Sequence, residues 1–217
     1  SMNEALKDDY LSLVDKLQES NRLGGVMGIL HWDQEVIMPT GAAESRAQQL
    51  GALAGVLHEK TTHPEMGKLL DRLPRDNENG FTNFEWCNIV EARREFDMAT
   101  KIPKSLVTEL AELSSRAHQV WVQARAENNF SGFAPVLKLL VDLKIKWAGY
   151  VSPEMQAYDA NIDIYERGTT QNDITPVFDR LKAELIPLIK SIQESDYQPE
   201  TSFMDGHFPI DEQEALG

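Results

Sequence analysis

The chain has 217 residues, of which 41% are hydrophobic and 26% charged, and its 35 acidic and 21 basic side chains give a formal net charge of −14. This composition is typical of a globular protein with a sizeable core and excludes a disordered chain. The negative charge argues against a nucleic-acid partner, because binding to nucleic acid needs clustered lysine and arginine.

The single cysteine, Cys87, excludes an internal disulfide and a cysteine-rich zinc site. It stands among Phe84, Trp86, Ile89 and Val90, so we predict a buried structural thiol there. No apolar run approaches the ~20 residues needed to span a bilayer, and the N-terminal sequence lacks the charged-then-apolar layout of a secretion signal. These features favour a cytoplasmic location and argue against a membrane partner.

Helical periodicity dominates the sequence from its start. Apolar residues between Leu6 and Leu17 recur at helical spacing and predict a long first helix, which Pro39 ends. Gly24 and Gly25 are expected to interrupt this helix or to weaken it, each by ~1 kcal/mol relative to alanine. The same spacing predicts further helices that begin near residues 41, 64, 82, 103, 131, 153 and 173.

Local signals define several of the predicted helix ends. Thr82 and Glu85 have the T-x-x-E spacing of a capping box and predict a helix start. Gly168 is predicted to end, as the residue just past the helix, the segment that begins at Ser152–Pro153. The stretch 74–80 is the clearest surface loop.

The fold class follows from what the sequence lacks as well as from its helices. No segment shows the sustained alternation of a strand, and residues 196–209 are the one stretch predicted to be irregular or β-like. Three tryptophans on apolar helical stripes, Trp86, Trp121 and Trp147, are predicted to lie in the core. We therefore predict an all-α fold of about eight helices.

The histidines do not form the pattern that marks a helical zinc peptidase. That pattern is H-E-x-x-H, with two metal-binding histidines one helical turn apart and a general-base glutamate between them. The five histidines are at 31, 58, 63, 118 and 207, and no two of them have this spacing. Neither Ser115 nor Cys87 has a base that the sequence can pair with it, which argues against nucleophilic catalysis.

The most concentrated polar segment is His31-Trp32-Asp33-Gln34-Glu35. On a helix His31 and Glu35 share a face, because they are four residues apart, and they could hold a metal ion or a water molecule. Two ligands are only half a metal site, however. The alternative is a hydrogen-bonded polar cluster at a helix end or the rim of a cleft.

Four segments, in order along the chain, resemble the N-terminal portion of the Taq-type, or thermostable, metallocarboxypeptidases. They are HWDQEVIMPTGAAESRAQQLGALA (31–54), KIPKSLVTELAELSSRAHQVWVQAR (101–125), NNFSGFAPVLKLLVDL (128–143) and YDANIDIYERGTT (158–170). One departure is Arg167, where the family usually has proline before the glycine. We expect this difference to affect a turn and not the function.

The resemblance implies an enzyme that removes single residues from the C-termini of peptides. It implies one lobe of a neurolysin-like, mostly helical two-lobed shell around a long groove. In this family H-E-x-x-H and a later glutamate hold zinc or another divalent metal, for example cobalt, and the glutamate of the motif activates water. Residues 1–217 contain none of these motifs, so no catalytic or metal-binding residue is carried over.

The matching segments nevertheless contain residues that we regard as family signature or possible groove residues. They are His31, Trp32, Asp33, Glu35, Tyr158, Asp159, Tyr165 and Glu166. We expect the chain to form part of the groove wall and to be inactive alone. We also expect it to form a homodimer, as family enzymes often do. The sequence ends in DEQEALG, which reads as the first turns of a helix, so we expect a piece of a larger protein. The alternative is a free-standing helical module that binds a partner helix in an apolar groove.

Overall fold

The computed structural model describes residues 4–77 and 80–216, and these residues form α-helices and no strand. The helices are α1 (Glu4–Val36), α2 (Ala43–Thr61), α3 (Pro64–Arg72), α4 (Asn83–Thr100), α5 (Lys104–Ala126), α6 (Phe130–Val151), α7 (Ala157–Ile162), α8 (Gln171–Gln193) and α9 (Ile210–Leu216). This confirms the all-α prediction. The chain divides into two compact units, one that ends at Gly168 and one that begins at Thr169.

The first unit contains a core in which α1, α3 and α4 meet. Leu13 of α1 and Ile89 of α4 are completely buried, and Leu69 and Leu70 of α3 are 2% exposed. Tyr10 packs against the ring of Phe81 and accepts a hydrogen bond from the side-chain amide of Asn88 at 3.0 Å. The apolar spacing of α1 therefore does what the sequence predicted, since it turns one stripe towards the short helix α3.

A second packed region joins α2, α5 and α6. Small residues of α2 allow α5 to approach closely, because a side chain at Gly51 would come within 2.4 Å of Cγ of Glu112. Leu50 and Leu106 are buried to 1% exposure on the facing sides of α2 and α5. Val151 of α6 packs with Leu106 in a cluster of its own. The alanine-rich composition of α2 thus specifies a tight helix pair.

The capping predictions for α4 are confirmed. The backbone N–H of Glu85 donates to Oγ1 of Thr82, and the carboxylate of Glu85 accepts from the Thr82 backbone N–H at 2.8 Å. These bonds lower the pKa of Glu85, first through the Thr82 backbone and then through its hydroxyl. The loop predicted before this helix, 74–80, is irregular as far as it is described, and its residues 78 and 79 lie outside the described range.

Gly24 and Gly25 do not interrupt the first helix, since α1 runs without a break from Glu4 to Val36. A side chain added at Gly24, Gly25 or Gly28 would meet no atom of the described chain within 4 Å. The two glycines can therefore lower helix stability through backbone entropy, while packing in the described chain does not require them.

We accordingly expect Gly25→Ala to raise the free energy of unfolding by up to ~1 kcal/mol, because alanine loses less backbone entropy in a helix. Urea unfolding followed by circular dichroism measures the change. Gly51→Ala is the matched control and should lower stability, because its methyl group collides with Glu112. Destabilisation by Gly25→Ala would show that this face of α1 is covered.

Two predictions of buried side chains in the first unit are wrong. Cys87 is exposed, because the buried stripe of α4 passes through Ile89 and Ala92 and leaves position 87 on the outer face. Trp121 is 45% exposed, whereas Trp86 and Trp147 pack against the two core clusters as predicted.

The helix predicted from Ser152–Pro153 to Gly168 is much shorter than expected. The structure forms α7 over Ala157–Ile162 only, and turns occupy residues 163–168. Gly168 has a φ of +77°, so its need for glycine is confirmed although it ends a series of turns and not a helix. The carboxylate of Asp163 accepts from the Gly168 backbone N–H and closes these turns.

The second unit, from Thr169, contains α8, a short 3-10 turn at Ser202–Met204 and α9. Residues 196–209 contain no strand, in agreement with the irregular region predicted there. Taken by itself, this unit buries no side chain, and Phe203, Met204, Phe208 and Ile210 are all more than half exposed. In the part of the chain that is described, none of the helices combines the length and apolar character needed to cross a membrane.

Candidate functional site

The last turns of α1 carry the polar segment singled out in the sequence, and α2 holds this segment in place. Arg46 of α2 donates to the backbone oxygen of Leu30 and to Oδ2 of Asp33, each at 2.5 Å. The side chain of Arg46 is 11% exposed and that of Asp33 30%. A partly buried, charge-assisted bond of this kind fixes the end of α1 against α2.

Gln34 is the buried residue of the segment and joins α1 to α5. Its Oε1 accepts a hydrogen bond from Oγ of Ser115 at 2.5 Å, and the two residues are 8% and 3% exposed. The Ser115 hydroxyl thus donates its proton to an amide oxygen, which is not a general base. This geometry gives Ser115 a structural role.

Glu35 lies against a histidine that the sequence did not connect to it. Nε2 of His118, on α5, lies 3.1 Å from Oε2 of Glu35. The ring of His118 also lies 5.8 Å from the ring of Trp121. His31 and Trp32 are exposed, Trp32 at 55%.

These residues do not fit a metal ion. Structural and catalytic zinc sites use three or four protein ligands, whereas Glu35 and His118 supply two. Within residues 4–77 and 80–216, no group of three or more His, Cys, Asp or Glu side chains could hold a metal. Of the two interpretations of this segment, the geometry matches the hydrogen-bonded cluster at a helix end.

An exposed ion pair with two hydrogen bonds joins α2 to α5 beside this cluster. Arg116 donates to both carboxylate oxygens of Glu44, at 2.7 and 2.8 Å, and also to Glu112. The bonds from Arg116, with one from Gln48, lower the pKa of Glu44 to about 2. The pairing also raises the pKa of Arg116.

Because the folded-state pKa of Glu44 lies below its ordinary value of 4.5, its ionised form stabilises the fold above pH 4.5. That stabilisation is lost as the pH falls towards 2. We expect Glu44→Gln to lower the urea midpoint at pH 6 and to have little effect at pH 2. Glu154→Gln, which removes an exposed carboxylate, is the control. Its urea midpoint should differ from that of the parent chain by the same small amount at pH 6 and at pH 2. An equal deficit at both pH values would show that ionisation of Glu44 is not responsible.

The second sequence-selected segment surrounds α7. Tyr158 and Tyr165 are 64% and 81% exposed, Glu166 is exposed and Asp159 is half-buried. The centre of the segment is Asp163, which accepts bonds from the Gly168 backbone N–H at 2.8 Å and from Arg94 at 2.9 Å. Both bonds lower the pKa of Asp163, and the bond from Gly168 has the larger effect.

Arg167, at the position where the sequence departs from the family pattern, pairs with Glu91 of α4. Arg94 lies within ion-pair distance of the same Glu91, at 3.9 Å. The charged run on α4 is therefore an ion-paired face that attaches the turns after α7 to α4.

A cleft in the first unit runs between α1 and α4 and encloses about 750 Å³. Its walls combine apolar side chains, among them Val14, Leu17 and Phe96, with the polar Asn21 and Glu95. None of the groove residues selected from the sequence is among its described lining. The two selected segments and this cleft are thus separate features.

Sequence reasoning missed Arg46, Gln34 and His118, which hold the α1 segment in place. The missing information is tertiary, because Gln34 and Ser115 are 81 residues apart in the chain. One local signal was available for Arg46, since a lone arginine beside the buried Ala47 in an alanine-rich helix must find a partner near the core.

The family model described as carboxypeptidase Taq (M32) metallopeptidase matches residues 12–217. Carboxypeptidase 1 of Bacillus subtilis is 29% identical over 203 residues, which are 93% of this chain and 40% of that protein. Thermostable carboxypeptidase 1 of Thermus thermophilus is 30% identical over 215 residues, 94% of this chain and 42% of that protein.

Solved structures match nearly the whole of this chain and less than half of their own length. The crystal structure of BsuCP matches with a TM-score of 0.90 and 27% identity and covers 96% of this chain and 42% of that one. The M32 carboxypeptidase from Deinococcus radiodurans R1 matches with a TM-score of 0.77 and 31% identity, over 96% of this chain and 41% of that one. The chain spans about 40% of the length of the curated relatives it matches.

Proposed function

Because the chain belongs to the carboxypeptidase Taq (M32) metallopeptidase family, we propose that it is the N-terminal helical part of a metal-dependent carboxypeptidase. The whole protein would release single amino acids from the C-termini of peptides, using zinc or another divalent metal such as cobalt. The main support is that the family model matches residues 12–217. In addition, the described residues contain no group of three side chains that could bind a metal ion. The metal ligands and the general base would then belong to the rest of the protein, which would work in the cytoplasm.

The role of this chain in that enzyme would be to form part of the wall of the peptide groove. The exposure of Trp32, Tyr158 and Tyr165 supports this role, because large aromatic side chains that reach solvent are available to contact a substrate. The bonds of Arg46 and Gln34 would hold the Trp32 segment rigidly, and those of Asp163 would hold the two tyrosines. A rigid wall limits which peptides can enter.

The test compares this chain with the full-length protein in one assay. Each is incubated with zinc or cobalt and with a blocked dipeptide, and the released C-terminal amino acid is quantified. We expect release by the full-length protein and none by residues 1–217. The reason is that the described residues contain no group of three side chains that could bind a metal ion. The expected difference is complete loss and not a reduced rate.

Turnover by residues 1–217 that a chelator abolishes would overturn the proposal that the chain is inactive alone. His31→Ala and Glu35→Gln, tested separately, would then show whether the α1 segment supplies ligands. Failure of the full-length protein to release any amino acid would overturn the carboxypeptidase assignment itself.

A second candidate function is a module that binds a partner helix. The observation in its favour is the open cleft of about 750 Å³ between α1 and α4, which has an apolar floor. The variants Val14→Asp and Phe96→Asp test this function in the full-length protein. If they abolish binding of a partner but leave the peptidase activity intact, the result favours the binding module.

We also propose that the chain self-associates. Tyr158 and Tyr165 in the first unit, and Phe203 and Ile210 in the second, are each more than 60% exposed, and soluble monomers rarely leave large apolar patches uncovered. Sedimentation velocity should show a dimer or a larger species at micromolar concentration.

Tyr165→Asp and Phe203→Asp, made separately, should each be compared with the parent chain. The variant that restores the monomer identifies the surface. A parent chain that sediments as a monomer at all concentrations would contradict self-association.

A further inference from the structure

A small aromatic pocket lies at the turn between α5 and α6, away from the clusters described above. It encloses about 230 Å³, roughly the volume of one large amino acid, and is lined by Trp121, Arg125, Asn128, Phe130 and Phe133, with Ala124 at its base. Trp121 and Arg125 are four residues apart and share one face of α5, and Asn128 follows just past the end of that helix. Nothing in the proposed function uses these residues.

The backbone of this turn is held by hydrogen bonds. Asn128 has a φ of +51°, and its N–H donates to the oxygen of Arg125 while the N–H of Asn129 donates to that of Ala124. This is the Schellman arrangement that ends a helix. The side chain of Asn129 then caps α6 by accepting from the N–H of Gly132 at 3.0 Å. Both walls of the pocket are therefore positioned before any ligand arrives.

The charge in the pocket is available to a ligand. In the described part of the chain, no side chain forms an ion pair or hydrogen bond with the Arg125 guanidinium, and Arg125 is exposed. The neighbouring Glu127 is held by Gln123, whose Nε2 donates to its carboxylate at 3.0 Å. An exposed guanidinium beside three aromatic rings matches a ligand that has both a carboxylate and a planar ring.

We propose that the pocket formed by Trp121, Arg125, Phe130 and Phe133 binds an aromatic carboxylate. The ring of the ligand stacks among the aromatic side chains, and its carboxylate accepts hydrogen bonds from the Arg125 guanidinium. The ligand is either the C-terminal aromatic residue of a peptide or a free aromatic acid, since both present this chemistry. The inference does not depend on the peptidase reaction.

The test is an NMR titration of residues 1–217 with N-acetyl-L-phenylalanine, read at the indole N–H signals of the four tryptophans. We expect the Trp121 signal, assigned with Trp121→Phe, to shift with a dissociation constant on the order of 1 mM, as for a small ligand of this size. N-acetyl-L-phenylalaninamide, which lacks the carboxylate, should bind about tenfold more weakly.

Two arginine variants separate charge from shape. Arg125→Gln should weaken binding of the acid about tenfold and leave binding of the amide unchanged, whereas Arg125→Lys should retain part of the preference. Arg22→Gln on α1 makes the same change in net charge and should have no effect. Equal binding of acid and amide, an unchanged affinity in Arg125→Gln, or no shift at Trp121 would each overturn the proposal.

Two further ligands identify the source of the carboxylate. The tripeptide Gly-Gly-Phe and 3-phenylpropionate are titrated in parallel. Tighter binding of the tripeptide assigns the pocket to peptide C-termini, and tighter binding of phenylpropionate assigns it to free aromatic acids. Both outcomes support the proposed ligand class.

Discussion

Replacing Ile89 with alanine is expected to lower the free energy of unfolding by about 2–5 kcal/mol. Ile89 is completely buried where α1, α3 and α4 meet, and it belongs to the same cluster as Leu13 and Leu69. Removal of its outer carbons loses their burial and leaves a cavity that the three helices can close only in part. A loss of this size is a large fraction of the stability of an ordinary domain.

Urea unfolding measures this loss, with the fluorescence of Trp86 as a local probe because Trp86 packs against the same cluster. Ile89→Val should cost about 0.5–1.5 kcal/mol, since it removes one methylene group. Phe84→Ala is the matched control on the same helix. It is 75% exposed, so its removal should change stability by less than about 0.5 kcal/mol.

A larger cost for Phe84→Ala than for Ile89→Ala would show that the buried face of α4 has been assigned to the wrong side. The same outcome would place Cys87 in the core, where the sequence had predicted it. The pair of variants therefore tests the orientation of α4, and the reactivity of the Cys87 thiol with a small reagent is an independent check on the native protein.

The helices could be predicted from the sequence because their signals are local. Thr82 and Glu85 are three residues apart and form their capping box without help from another helix. Gly168 needs glycine because of its own φ angle. The all-α fold follows from many such signals, and each depends on neighbours within about one turn.

The burial of individual side chains could not be predicted in the same way. An apolar stripe indicates which face of a helix is suited to burial, but another helix must arrive to cover it. Trp121 lies on such a stripe and remains 45% exposed, because it stands at the turn into α6 beside an open pocket. The prediction for Cys87 was wrong for a related reason, because it relied on apolar neighbours along the chain, whereas the buried stripe of α4 passes through Ile89 and Ala92.

The polar cluster at the end of α1 shows the same difference between local signals, which the sequence contains, and contacts between helices, which it does not reveal. The sequence located the segment 31–35, because its composition is local. It did not identify the partners, since Arg46, Ser115 and His118 come from other helices and the last two are more than 80 residues away. The sequence offered no reason to select Gln34, because its side chain is uncharged. It is nevertheless the most buried residue of the segment.

We expect Ser115→Ala to lower the free energy of unfolding by about 1–3 kcal/mol, because it leaves the buried Oε1 of Gln34 without its donor. Gln34→Ala should cost a similar amount, since it removes the acceptor of the Ser115 hydroxyl and opens a cavity between α1 and α5.

The double variant Gln34→Leu with Ser115→Ala should be closer to the parent chain than the sum of Gln34→Leu and Ser115→Ala made singly. It replaces both partners with apolar groups, so neither polar atom is buried alone. His31→Ala, three residues before Gln34 but exposed, is the control and should change stability by less than about 0.5 kcal/mol. Strict additivity of the two single changes would mean that the serine and glutamine do not interact. The polar contacts that remain at the end of α1 would then include the Glu35–His118 contact with α5 and the Arg46 bonds from α2.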